Sequence, residues 1–261
     1  MGHIRLGKSL PRTRKWGQVV DLIGGNAGAS EVAAATMEAA QGGLKKAALD
    51  PGLIHSIWLL TQIPLAAKGE NFASALREIG LQVPDNPSLL EVVNAFTNAV
   101  DNHLRERGGR SDLGEMAQMA ASETLTALGT ERTRSLFETA PEDVQRAFKS
   151  FSTTKQFGVL SRDFFARLSK RYLGYFLSRE LSNHVSGDGR FSNIDQHAEF
   201  NKALELHCQQ AAYIVESFAG GWFSKTNFEG GITPEKAEAF THVALKKLRS
   251  ELARGARDDE Q

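Results

Sequence analysis

Four groups of residues in this chain have types and spacings that bear chemistry. The stretch 155–179 carries Lys155, Arg162, Arg167, Lys170, Arg171 and Arg179 against one acid, Asp163. Phe157, Phe164, Phe165, Tyr172, Tyr175 and Phe176 are interleaved. Cations that hold phosphates beside rings that stack on bases are the equipment of a single-strand binder. Helical spacing separates the two sets, however. Phe165, Leu168, Tyr172 and Phe176 recur every three to four residues as one apolar stripe, and Arg162, Arg167, Lys170 and Arg171 lie off it. The expectation is a buried stripe with a solvated basic back, and those four cations are the candidate nucleic-acid contacts. The second group is the glycine-rich segment 24–30, which follows Val19, Val20 and Ile23. A strand, a glycine loop and a helix start would cradle a phosphate with backbone amides. The segment lacks the G-x-G-x-x-G spacing and the lysine of a phosphate loop, so a turn between helices is expected. The third group is His197, His207 and Cys208. On one helix His197 and His207 stand about 280° apart, and no C-x-x-C or H-E-x-x-H pattern accompanies them. No metal and no cofactor is expected, and Cys208 reads as a small buried hydrophobe.

Arg179 and His184 form a fourth group, in the order Arg-x4-His. This spacing, over six residues, resembles the signature of HEPN-type ribonucleases, which are helical and often dimeric. The resemblance implies that Arg179 steadies the scissile phosphate and that His184 carries out acid–base transfer without a metal. On a continuous helix the two side chains stand about 140° apart. They converge only if the helix breaks near Ser182. The plainer alternative pairs Arg179 with a carboxylate and sets His184 at a helix C-terminus, where a cation is favoured.

Two segments read as docking surfaces. Residues 1–16 form a basic arm with Arg5, Lys8, Arg12, Arg14 and Lys15, and no acid precedes Asp21. Gly2, Gly7 and Pro11 interrupt any helix there, so the arm should be extended and suited to an acidic partner or to phosphates. Ile4, Leu6 and Leu10 favour docking, the protein's own body included. Between Gly220-Gly221 and Gly230-Gly231 lie Trp222, Phe223 and Phe228. Read as an exposed aromatic loop, 220–231 is a protein-binding patch, because large rings dominate interface energetics. Read as a loop tucked between the last two long helices, it is only anchored.

Helices must position all of these groups. Ser88 followed by Glu91 is a capping box, and Thr233 with Pro234 is a cap with proline at the first helical position. Periodicity and such signals predict nine to eleven helices, near 16–23, 30–41, 51–67, 71–79, 88–105, 111–128, 131–138, 141–151, 161–185, 193–219 and 234–254. No alternation of period two is sustained. The predicted class is all-α and multi-helical, with a basic arm (1–16), a helical lobe (17–130) and an aromatic-rich helical lobe (131–261). The apolar run 53–67 includes His55, Gln62 and Pro64. It is shorter than the roughly 20 residues a membrane-spanning helix needs. A buried helix ended or kinked by Pro64 is expected.

Composition bounds the function. With 31 basic and 31 acidic residues the net charge is zero, which disfavours a wholly basic nucleic-acid protein. A single cysteine and no signal-peptide pattern point to a reducing, cytoplasmic setting. The favoured expectation is a non-enzymatic helical subunit or adaptor of a cytoplasmic complex, with another protein as partner. It would dock through the arm and through Trp222, Phe223 and Phe228. The alternatives are the Arg179/His184 ribonuclease and a nucleic-acid binder.

Overall fold

A computed structural model of the chain describes residues 5–6, 13–42, 49–107, 109–133, 140–185 and 189–258. Lys8 and Arg12 of the arm, and most of the helix expected at 131–138, lie outside these residues. In chain order the helices are α1 (Arg14–Gly24), α2 (Ala29–Ala39), α3 (Pro51–Ala66), α4 (Phe72–Glu78), α5 (Leu89–Glu106), α6 (Asp112–Thr133), α7 (Pro141–Ser150), α8 (Thr154–Asn183), α9 (Ile194–Ala211), α10 (Tyr213–Phe228) and α11 (Pro234–Asp258). The protein is all-α. Among the described residues there is no strand, only an isolated bridge between Val185 and Phe191.

The starts of the helices follow from side chains that meet orphan amides. Thr13 accepts from the Trp16 amide at 3.2 Å and starts α1 two residues earlier than expected. Ser88 and Glu91 form the anticipated capping box on α5. Thr153 accepts from the Gln156 amide at 3.3 Å, so α8 begins at Thr154 rather than at 161. The stretch expected as one helix over 193–219 is two, joined at Ala212, and the second continues to Phe228.

α8 is the spine. It buries Phe157, Leu160, Phe164, Phe165, Tyr172 and Leu177 on more than one face, and α2, α6, α9 and α10 pack along it. The crossing with α10 brings backbone onto backbone. A Cβ at Gly220 would lie 1.9 Å from the Thr154 carbonyl oxygen, and one at Gly158 3.0 Å from that of Glu216. Residue 130, where a boundary between lobes was expected, falls inside α6. α6 packs on α3 and α5 as well as on α8, so buried side chains run continuously across that point.

α3 shows why the apolar run is buried. Pro64 sits in its last turn and the helix ends two residues later, at Ala66. No helix among the described residues is long and apolar enough to cross a membrane. Its start is shared with α6. The Asp50 carboxylate accepts from the amides of Gly52 at 2.9 Å and Leu53 at 3.0 Å, and also from the Ser111 hydroxyl. Ser111 in turn accepts from the Gly114 amide at 2.9 Å. Only glycines allow this meeting, because a Cβ at Gly52 would stand 2.8 Å from the Gly114 Cα. Asp50→Ala orphans three donors at once and should cost about 3 kcal/mol. A melting temperature lowered by roughly 6–12 °C in circular dichroism is the expected readout. Asp50→Asn keeps an acceptor and should lose clearly less.

Candidate functional site

The basic face of α8 is present, but it is spent inside the molecule. Arg162 reaches Glu216 of α10 at 2.7 Å, and its guanidinium lies 4.3 Å above the Tyr213 ring. Arg167 donates from Nε to Asp163 at 2.6 Å and faces Glu123 of α6 at 3.6 Å. Lys170 meets Glu205 of α9 at 2.6 Å, and Arg171 is bonded to Glu123. Burial penalises the Arg167 charge, yet the bond to Asp163 and the fields of Asp163 and Glu123 outweigh it and raise the pKa. The aromatic stripe is core, as the helical spacing requires. The basic back is ion-paired, with Arg162, Arg167 and Arg171 half-buried and Lys170 exposed. The carboxylates that neutralise it come from other helices, far away in sequence, so the local excess of cations did not reveal them. A nucleic-acid backbone would have to displace these partners one by one.

α6 and α9 both lie along α8 but pack little on each other. The gap between them is a cleft of about 250 Å³. Its floor is α8, with Ala166, Arg167, Lys170 and Arg171, and its rims are Glu123 of α6 and Glu205 of α9. Asp163 and Gln209 complete the lining. Arg171 Nη1 rests 3.7 Å from the Met119 sulfur, and Nε is buried with no hydrogen-bond partner.

The arm departs from its expectation at Arg14 and Lys15 and follows it at Leu6. Arg14 and Lys15 belong to α1, and Lys15 pairs with Glu38 of α2 at 2.9 Å. Residues 5 and 6 lie on the body: the Leu6 amide donates to Asp112 Oδ2 at 2.8 Å, an oxygen that also accepts from the Tyr175 hydroxyl at 2.6 Å. Arg5 is exposed.

The aromatic segment is not a loop. Gly220, Gly221, Trp222, Phe223 and Phe228 all belong to α10, and only 229–231 turn. Trp222 stacks on Phe240 with centroids 4.1 Å apart, and Phe223 stacks on Phe157 at 4.0 Å. Phe223 is buried and Trp222 half-buried, whereas Phe228 is 90% exposed. The glycine pair misled because glycine normally breaks helices. Here Gly220 lets two helix backbones touch.

No hydrogen bond or ring contact joins Arg179 to His184 among the described residues. α8 continues through Asn183, with the Ser182 hydroxyl donating to the Ser178 carbonyl at 2.8 Å. The helix runs unbroken through Ser182 and ends one residue later, at Asn183. Arg179 is exposed, and His184 follows the helix end with Nε2 3.5 Å from Glu180. The glycine segment 24–30 is a turn between α1 and α2 whose polar groups are already used. Arg190 donates to the carbonyls of Ile23, at 3.2 Å, and Ala27. Glu31 accepts from the Gly28 amide at 2.7 Å, where a phosphate oxygen would otherwise sit. Among the described residues no three metal-ligating side chains gather. Cys208 is buried, and burial pushes its thiol up to about 12.

Sequence reasoning missed one cluster. His55 of α3 and His103 of α5 stack face to face, centroids 4.0 Å apart and 3° from parallel. Trp58 stacks on His55 at 5.4 Å. Desolvation first, then the proximity of His103 and Arg107, lowers the His55 pKa to about 4. His103 is lowered too, mainly by burial and by Arg107, against an opposing pull from Glu106. Only the docking of α3 on α5 creates this pair, and no spacing along the chain signals it. No protein-family model, no curated protein and no solved structure matches the chain.

Proposed function

We propose that the chain is a non-enzymatic helical subunit that docks a partner protein through the free end of α10, with the basic arm as a second contact. The observation that carries this reading is Phe228. It is 90% exposed on the last turn of a helix whose inner face is locked by the Trp222 and Phe223 stacks. An aromatic held out on a rigid element binds with little further ordering cost and suits an apolar pocket on a partner. Glycines at 230 and 231, with φ of 101° and 87°, turn the chain away immediately behind it. The other candidates support the same choice. Arg162, Arg167, Lys170 and Arg171 of α8 are already paired with carboxylates of the chain, and His184 follows the end of the helix that carries Arg179.

Phe228→Ser removes the ring without touching the core, so the melting temperature should stay within about 1 °C of wild type. The variant, recovered from its native cells, should lose at least one stoichiometric protein partner that wild type retains. An unchanged set of partners, at unchanged stoichiometry, overturns the reading.

A further inference from the structure

We infer that the cleft between α6, α8 and α9 is a binding site for a free α-amino acid in its zwitterionic form. The electrostatics of the lining select the ligand class. Three cations of the floor, Arg167, Lys170 and Arg171, face three carboxylates, Glu123, Asp163 and Glu205. The lining is neutral as a whole, with the three cations and Asp163 on α8 and the Glu123 and Glu205 carboxylates on the flanking helices α6 and α9. A simple anion or a simple cation entering such a cleft leaves one charge uncompensated in a half-buried place, which is unfavourable. A molecule carrying both signs exchanges like for like. Its carboxylate takes over a guanidinium, and its ammonium receives the carboxylate displaced from that guanidinium.

Arg171 is the natural seat for the carboxylate. Its Nη2 holds Glu123, its Nη1 has only a weak sulfur acceptor, and its Nε has none. A guanidinium donates to a carboxylate most strongly through two parallel N–H groups, here Nη1 and Nη2. An incoming carboxylate therefore gives Nη1 a full acceptor in place of the thioether. The ammonium then lies toward Glu205 or the released Glu123. Size agrees. A volume of 250 Å³ corresponds to on the order of eight waters of liquid and lies just below the range of drug-sized ligands. Ala166 is the smallest side chain lining this space, and Gln209 adds a polar amide to it.

The test titrates the full chain with L-alanine and L-glutamine, and with acetate and methylammonium as single-charge probes. Calorimetry and amide chemical shifts at 166–171 and 205 are the readouts. At least one amino acid should bind at concentrations below about 10 mM, with acetate and methylammonium at least about tenfold weaker. Ala166→Leu fills the floor while leaving every ion pair in place, and should abolish binding. Arg171→Gln should weaken it at least about tenfold. Glu205→Gln keeps the shape, removes the ammonium acceptor, and should weaken amino acids but not acetate. It serves equally if Ala166→Leu fails to fold. No binding by either amino acid, acetate binding as tightly as the amino acids, or unchanged affinity in the folded variants overturns the assignment.

Discussion

Gly220→Ala is expected to lower the melting temperature by about 10 °C or more, while Gly221→Ala, one residue away, raises it slightly. At Gly220 the new methyl group would stand 1.9 Å from the Thr154 carbonyl oxygen and 2.8 Å from its carbon. Both are backbone atoms of the first turn of α8, so no flexible side chain is there to move aside. Relief requires α10 to lift from α8, which pulls Phe223 off Phe157 and opens the core beneath. Overpacking of this kind sits at the severe end of single substitutions, about 4 kcal/mol or more. In a chain of this size each kcal/mol is worth roughly 2–4 °C. At Gly221 nothing lies within 4 Å of the same methyl group. There only helix propensity acts, and alanine gains about 1 kcal/mol over glycine. Calorimetric melts of the two variants side by side provide the check. Equal shifts would mean that α10 does not rest on α8 as described.

The second large effect is one of acidity. His55 has a folded pKa of about 4, lowered by burial, by His103 and by Arg107, against about 6.5 in an unfolded chain. A base whose pKa is depressed by folding binds its proton more readily when unfolded, so acid favours unfolding. The stability held by the neutral stack is therefore complete above pH 6.5 and is lost as the pH falls from there toward 4. The difference amounts to about 3 kcal/mol. His103 shifts in the same direction and reinforces the loss. Carboxylates also contribute to acid unfolding, so the measurement must isolate the imidazole. His55→Phe preserves an aromatic face against Trp58 and His103 but cannot take a proton. Urea unfolding of both proteins across pH 7 to 4 should show the variant gaining about 3 kcal/mol relative to wild type. Parallel curves would refute the depressed pKa.

How far the sequence went can be traced residue by residue. Ser88 with Glu91 and Thr233 with Pro234 marked helix starts because capping is local chemistry. The stripe Phe165, Leu168, Tyr172 and Phe176 marked the core because helical periodicity projects directly onto a face. What stayed hidden depended on contacts between distant segments. Gly220 reads as a breaker until Thr154 is placed against it. Arg162, Arg167, Lys170 and Arg171 look like a free basic surface until Glu216, Glu123 and Glu205 arrive from other helices. His55 and His103, 48 positions apart, acquire a shared property only through the packing of α3 on α5. Phe228 was singled out, but its exposure, unlike the burial of Phe223, could be decided only by the rotation of α10 on α8.

The carboxylate of Asp50 closes a circuit. Two helices begin at one point in space although 61 residues separate Asp50 from Ser111, and α4 and α5 are strung between them. Fraying at the head of either helix withdraws a bond from the head of the other, so the two ends breathe as one. The stretch from 50 to 114 thereby gains the character of a single cooperative unit, tied at its neck by one side chain.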